Sequence, residues 1–380
     1  MKIALVHDYI KEYGGAERVL ETLHDMFPGA PVFTLVYCPE FLGPHKKRFQ
    51  NWNIKTSFLQ HIPYKEKFIS IFRLVAPFVF PLFNFSGYDV VLVSATGAYS
   101  PNTIRKATAE QICYYHTPPR YLYGLATARE WKRNFIFKIL AGIVTLWLRK
   151  IDKKSSENVD IAIANSETVK ERIKKFYNKD AVVVYPPVGI SKFAVGSSKF
   201  VVRSIATNNE QITHNYYLAG GRLARPKHYD LIIHAANALK IPLKIFGKGF
   251  AGYGEELQKI AGPTVEFLGE VTDEEKIALM ANAKAFLMAS VDEDFGITPV
   301  EAMGVGTPVI AYKSGGLRET VIDGKTGIFF DELTVASLEN ALKKFETLSL
   351  KSKDCVMQAE KFDTKHFKQG ILSVVSKFAK

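Results

Sequence analysis

The stretch "EDFGITPVEAMGVGTPVIAYKSGG" (Glu293–Gly316) moves in 24 residues from a loop to a helix, a glycine turn, a strand and a second glycine turn. Thr298, Pro299, Val300 and Glu301 suit the N-cap and first three positions of a helix, with Glu301 closing a capping box. "TPVIAY" is a short β-branched and apolar run of the kind found in strands covered on both faces, so helix and strand together predict a parallel α/β sheet. Two carboxylates, Glu293 and Glu301, frame this turn.

The alternation extends on either side. Upstream lie "YYLAGG", "PLKIFGKG", "VEFLGE" and "KAFLMAS" as strands, with "HYDLIIHAANALK" and "DEEKIALMANA" as helices; downstream come a short helix from about Leu317 and the strand "GIFFD". The first half repeats the pattern: a strand over Lys2–Tyr9, a helix opening at Gly14-Gly15, a strand in "APVFTLVY", then "YDVVLVSA", "QICYYH" and "DIAIANS". "AVVVYPP" ends in Pro186-Pro187, which can continue neither a ladder nor a helix. With 380 residues, too many for one ordinary core, the predicted organisation is two doubly wound Rossmann-like domains, 1–186 and 187–363. The apolar face of residues 364–380 (Phe367, Ile371, Val374, Val375, Phe378) predicts a final helix that must dock. Ligands of such sheets lie outside the carboxyl ends of the strands, and a cleft between the domains is expected.

Composition narrows the class. At 47% apolar and 23% charged residues the chain is globular. Three widely spaced cysteines suggest no disulfide framework and fit a reducing cytoplasm. Nine histidines form no ligand motif, so no protein-held metal is expected. The amino terminus lacks a cleavable leader pattern, and no apolar run reaches the ~18–20 residues that span a bilayer. Of the net charge of +12, most lies in residues 1–186, which hold 26 Lys and Arg against 16 Asp and Glu. That half is the one suited to an anionic surface.

The candidate site residues follow from position. The turn around Gly296, with Phe295, Ile297 and Thr298, lets backbone approach a ligand, and a helix N-terminus favours a phosphate. Glu301 can accept bonds from a ribose diol or simply cap its helix; Glu293 can take sugar hydroxyls or lie solvated in an acidic loop. Arg222 and Lys227 in "GGRLARPK" can clamp a diphosphate or be surface cations. Gly14-Gly15 form a possible phosphate turn that falls short of G-x-G-x-x-G. His116, at a predicted strand end before Pro118-Pro119, is either packed or catalytic.

Together these residues resemble the retaining GT-B glycosyltransferases of the family-4 kind, whose second domain is the glycosyl transferases group 1 type. The resemblance covers essentially the whole chain and rests on Gly14-Gly15-Ala16-Glu17-Arg18, His116, Asn165-Ser166, Gly221-Arg222-Leu223 with Lys227, Phe267-Leu268-Gly269, and Glu293 and Glu301 followed by Gly304, Gly306-Thr307-Pro308 and Gly315-Gly316. It implies a nucleotide-sugar donor held mainly by the second domain, with Glu301 on the ribose, Glu293 on the sugar and Arg222 with Lys227 on the diphosphate. His116 and the Gly14-Gly15 turn would approach from the first domain. No cofactor or metal beyond the donor is implied. The versions "CYYHTPPRYLY" and "FPGAPVFTLVY" are most similar to bacterial mannosyltransferases that use GDP-mannose in surface-polysaccharide assembly.

The basic stretch between Arg129 and Lys154, interleaved with Trp131, Phe135, Phe137 and Trp147, suits either an interfacial helix on anionic lipid or a core helix with basic ends. The expectation is a cytoplasmic protein, peripheral on the inner face of the membrane, with a polyprenyl-diphosphate-linked or glycan acceptor. Three other readings compete. A dinucleotide oxidoreductase would need a complete glycine fingerprint. A basic nucleic-acid-binding protein, which is not expected, would have no use for the second-half glutamates. A GT-B nucleotide-sugar epimerase would convert the donor without an acceptor.

Overall fold

The computed structural model describes residues 1–127, 135–190 and 215–378, with side chains in the middle stretch from Gly142 onward. The chain divides into two compact units. The first holds Met1–Leu125, Trp131–Pro187 and Lys365–Lys380; the second holds Val188–Thr364 with the short stretch Ala126–Glu130.

The first unit is built on seven parallel strands: β1 (Ile3–His7), β2 (Val32–Thr34), β3 (Ile54–Thr56), β4 (Val90–Ala95), β5 (Glu110–Tyr115), β6 (Ile161–Ala164) and β7 (Ala181–Val183). Their order is β3-β2-β1-β4-β5-β6-β7. Every residue of β1 and β4 is buried, as strands covered by helices on both faces must be. The sheet grows outward in both directions from β1 and β4, which pair from Ile3–Val90 to His7–Ser94. Their carboxyl ends therefore flank the topological switch point, the position where ligands of doubly wound sheets bind.

The helix Thr364–Val375 belongs to this first unit. Its apolar spacing puts Phe367, Ile371, Val374 and Val375 into one core with Leu5, Val19, Ile112 and Val184. The Phe367 ring meets Tyr114 edge-on at 5.7 Å.

Among its described residues the second unit has six parallel strands: β8 (Tyr217–Gly220), β9 (Leu243–Phe246), β10 (Val265–Gly269), β11 (Phe286–Met288), β12 (Val309–Tyr312) and β13 (Gly327–Phe330), ordered β10-β9-β8-β11-β12-β13. Its switch point lies between β8 and β11. Both units are thus Rossmann-like parallel sheets.

One expectation is corrected. The helix after β11 runs over Ile297–Gly304, and its N-cap is Gly296 in the left-handed region at φ 91°. Thr298 lies inside the first turn, so Glu301 does not close a capping box on it. A glycine with positive φ turns the chain sharply enough to start the helix two residues early.

Candidate functional site

Each unit gathers polar side chains at the carboxyl ends of its switch-point strands. In the second unit, β8 runs into Gly221 and Arg222, and the turn Arg225–Lys227 follows. β11 runs into Ser290 and the loop that carries Glu293. The two loops are tied by the Val291 amide, which donates to the Pro226 carbonyl at 2.8 Å. The tie brings Lys227 Nζ to 3.3 Å from Glu293 Oε2, which also accepts a 2.6 Å bond from Ser290 Oγ. Arg222 is exposed, its guanidinium 5.6 Å above the Phe250 ring.

The Glu293 loop is pinned from behind by Gly315-Gly316, the last residues of the opening motif. The Gly316 amide donates to the Glu293 carbonyl at 2.8 Å. A Cβ on Gly315, whose φ is +53°, would stand 2.1 Å from that same carbonyl oxygen. Only glycine permits this approach.

Glu301 is buried one turn into its helix, and its partner is Lys276, whose Nζ lies 2.8 Å from Glu301 Oε1. Lys276 also reaches Asp273 Oδ1 at 3.3 Å. In water such a pair contributes little, but here both charges are out of solvent, so each depends on the other. Thr298 approaches the Gly221 turn: a Cβ on Gly221 would lie 3.9 Å from Thr298 Oγ1. Ile297 is half-buried beside it, while Phe295 is buried, its ring edge-on to Phe362 at 5.2 Å. Gly269 closes β10, and its carbonyl accepts the Gly247 amide at 2.6 Å.

In the first unit, Gly14 caps the helix Gly15–Met26 and its amide donates to Glu17 Oε2 at 2.8 Å. His116 follows β5. Its Nε2 lies 2.9 Å from Ser94 Oγ on β4, and Ser94 Oγ lies 3.1 Å from His7 Nδ1 on β1. The other nitrogen of His7 stands 3.7 Å from Glu17 Oε1. Burial, reinforced by the nearby His7, lowers the His116 pKa to about 3. Asp8 is fully buried and its Oδ2 accepts from the Ala98 and Tyr99 amides, both at 3.2 Å, and from Thr96 Oγ1. Burial raises its pKa despite those bonds.

The sequence-predicted residues thus fall into two groups: Arg222, Lys227, Gly269, Glu293, Phe295, Gly296, Ile297, Thr298 and Glu301 in the second unit, Gly14, Gly15 and His116 in the first. His7, Ser94, Ser290 and Lys276 were not anticipated. His7 and Ser94 lie near the carboxyl ends of strands already read as strands and were legible by position. Lys276 sits in "DEEKIALM", which reads as a solvated helix face, and carried no signal. Among the described residues no three His, Cys, Asp or Glu converge as a metal set.

Comparison with known proteins adds the family. The model described as Glycosyltransferase Family 4 matches residues 13–192, and that described as Glycosyl transferases group 1 matches residues 202–362. An alpha-1,3/1,6-mannosyltransferase ALG2 of Dictyostelium discoideum is 24% identical over 341 residues, covering 80% of this chain and 79% of that protein. A D-inositol 3-phosphate glycosyltransferase of Corynebacterium kroppenstedtii is 28% identical over 214 residues, and there the match spans 51% of this chain and 47% of the relative. Among solved structures, Anabaena Alr3699/HepE in complex with UDP superposes with a TM-score of 0.70 at 19% identity over 99% of this chain and 100% of the other. Sucrose-phosphate synthase of Thermosynechococcus elongatus does so with 0.73 at 17%, over 99% of each chain. These likenesses establish the GT-B fold.

Proposed function

Because the chain belongs to the family-4, group 1 glycosyltransferases of GT-B fold, we propose that it is a retaining hexosyltransferase moving mannose from GDP-mannose to a lipid-linked or oligosaccharide acceptor in surface-polysaccharide assembly. The observation that carries the donor site is the pair of carboxylates on either side of the Gly296 turn, each already matched with a lysine: Glu293 with Lys227 and Glu301 with Lys276. Carboxylates held in this way are fixed acceptors for hydroxyl groups. The mannosyltransferase relatives support the sugar.

In this reading Glu301 accepts from the ribose and Glu293 from the sugar. When the sugar–phosphate C–O bond breaks, its electron pair stays on the diphosphate while the sugar becomes oxocarbenium-like. Arg222, Lys227 and the N-terminus of the helix Ile297–Gly304 then meet the growing negative charge, lowering the barrier by electrostatic preorganisation. The acceptor oxygen attacks the face that the diphosphate leaves, and its proton passes to a departing phosphate oxygen. No protein nucleophile and no bound metal enter this scheme, because side-chain cations supply the positive charge.

The test is thermal-shift binding of GDP, UDP, ADP, dTDP, their sugar conjugates, NAD and NADP, with and without divalent metal, to the wild type, Lys227→Ala and Glu301→Ala. Stabilisation by GDP and GDP-mannose that is lost in both variants is expected. Stabilisation by uridine compounds alone would replace the donor, and stabilisation by a dinucleotide alone would overturn the reading.

We propose an anionic membrane surface as the place of action. Among the described residues no helix is long and apolar enough to cross a bilayer. The helix Lys65–Val79 is nevertheless apolar on two faces. Phe72, Ala76 and Val79 pack into the core, while Ile71 and Phe78 stand 54% and 57% exposed on the other side. Phe78 stacks at 5.7 Å on Trp147, itself 44% exposed, joining this face to that of the helix Phe135–Glu157. Exposed Lys150, Lys153 and Lys154 follow on that second helix. Aromatic and aliphatic groups bordered by lysines match an anionic headgroup layer. Of the anticipated interfacial aromatics, Trp131 and the side chains of Phe135 and Phe137 lie outside the described residues. Co-sedimentation with phosphatidylglycerol-containing vesicles at low salt is expected, about tenfold weaker for Ile71→Ser/Phe78→Ser. No sedimentation of the wild type would sink the proposal.

A further inference from the structure

The chain His116–Ser94–His7–Glu17–Gly14 fixes where protons sit. Glu17 Oε2 is taken by the Gly14 amide, and Oε1 faces His7 Nε2 at 3.7 Å. That distance is too long for a hydrogen bond, yet His7 is fully buried and nothing else among the described residues hydrogen-bonds this nitrogen. In its neutral form His7 carries one N–H and one lone pair. Its nitrogen facing the carboxylate must be the N–H, because a lone pair aimed at an anion in a dry site is repelled. Nδ1 is then an acceptor and takes the Ser94 proton. Ser94 Oγ, having donated its only proton, accepts from His116, whose Nε2 must carry hydrogen.

We propose that His7 and Ser94 are positioning residues that lock His116 as the Nε2–H tautomer, leaving its Nδ1 as an acceptor for a hydroxyl of the transferred sugar. The sugar half of this inference rests on the donor reading above; the tautomer half does not. The chain also links His116 to the Gly14-Gly15 turn through Glu17, so both first-unit candidates lie on one string of polar contacts.

Long-range ¹H–¹⁵N correlation on full-length protein labelled at histidine reads the tautomer directly, with His116→Asn and His7→Asn assigning the signals by subtraction. The wild type should show His116 protonated at Nε2 near neutral pH. Ser94→Ala should scramble that preference and Ser94→Thr, which keeps the hydroxyl, should restore it. A wild-type His116 protonated at Nδ1, or a tautomer unchanged in Ser94→Ala, overturns the proposal. In the same variants, stabilisation by the free nucleoside diphosphate should persist while that by its sugar conjugate weakens by roughly tenfold in Ser94→Ala and recovers in Ser94→Thr. Equal weakening of both ligands overturns the sugar contact. Absence of nucleotide binding in every protein overturns the donor reading and leaves the tautomer result standing.

Discussion

Lys276 and Glu301 show how much a single buried pair can hold. Lys276→Met would take the lysine counter-charge from the buried Glu301 carboxylate, at a cost of about 3–5 kcal/mol to the second unit. The double variant Lys276→Met/Glu301→Gln should recover much of that loss, since the buried charge is gone with its partner. Urea unfolding of the three proteins checks this; equal stability of the single variant and wild type would refute it. His116 makes a different prediction. Its pKa of about 3 lies below the ~6.5 of an unfolded histidine. Its contribution is therefore complete above pH ~6.5 and is lost as pH falls towards 3, at about 1.4 kcal/mol per pH unit. Asp152 opposes it. Burial raises that carboxyl to about 6, against bonds from Tyr177, Tyr123 and Ser100, so acidification from 6 to 3.8 favours the folded form. The first unit should lose stability between pH 6.5 and 6, after which the two raised carboxyls, Asp152 and Asp8, offset the histidine's loss. His116→Asn should remove the loss and leave a rise on acidification, measurable as unfolding midpoints across pH.

Among the elements, the glycine turn after β12 is the most exposed to test. Gly315→Ala would put a methyl group into the Glu293 carbonyl and must push the loop away. Loss of Glu293 from its place beside Lys227 should weaken sugar-conjugate binding by on the order of tenfold or more, with stability lowered by about 1–3 kcal/mol. Unchanged binding would mean the loop does not position the carboxylate. This turn was legible because glycine pairs after a strand have few other uses. The start of the preceding helix was misread because Thr298-Pro299 is so strong a local signal. The competing glycine at 296 wins by adopting a conformation that no side-chain rule announces. The edge strand β3 and the helix Lys65–Val79 were not resolved as elements in the sequence. The first is three residues long, and the second has no one-sided apolar stripe, because its exposed face is apolar as well.

At the scale of the molecule, two doubly wound parallel sheets followed from the repeated alternation of helices and short buried strands, which admits few other architectures. The site was readable only as residues at strand ends. The hydrogen bonds among His7, Ser94 and His116 come from three strands whose adjacency depends on sheet order, and order is absent from local sequence. The final helix gives a prediction for the whole fold: Phe367→Ala should cost the first unit about 3–5 kcal/mol, through an emptied contact with Tyr114. Calorimetry resolving two transitions should show the change in the first unit alone.

That helix also sets an order of events during synthesis. Residues Met1–Pro187 leave the ribosome long before Lys365–Lys380, which complete the same core. At ~5–20 residues per second the nascent first unit waits some ten seconds or more with Leu5, Val19 and Ile112 incompletely covered, while the entire second unit emerges and can fold. The unit translated first is the one finished last, and in that interval its open groove is a natural client for a chaperone.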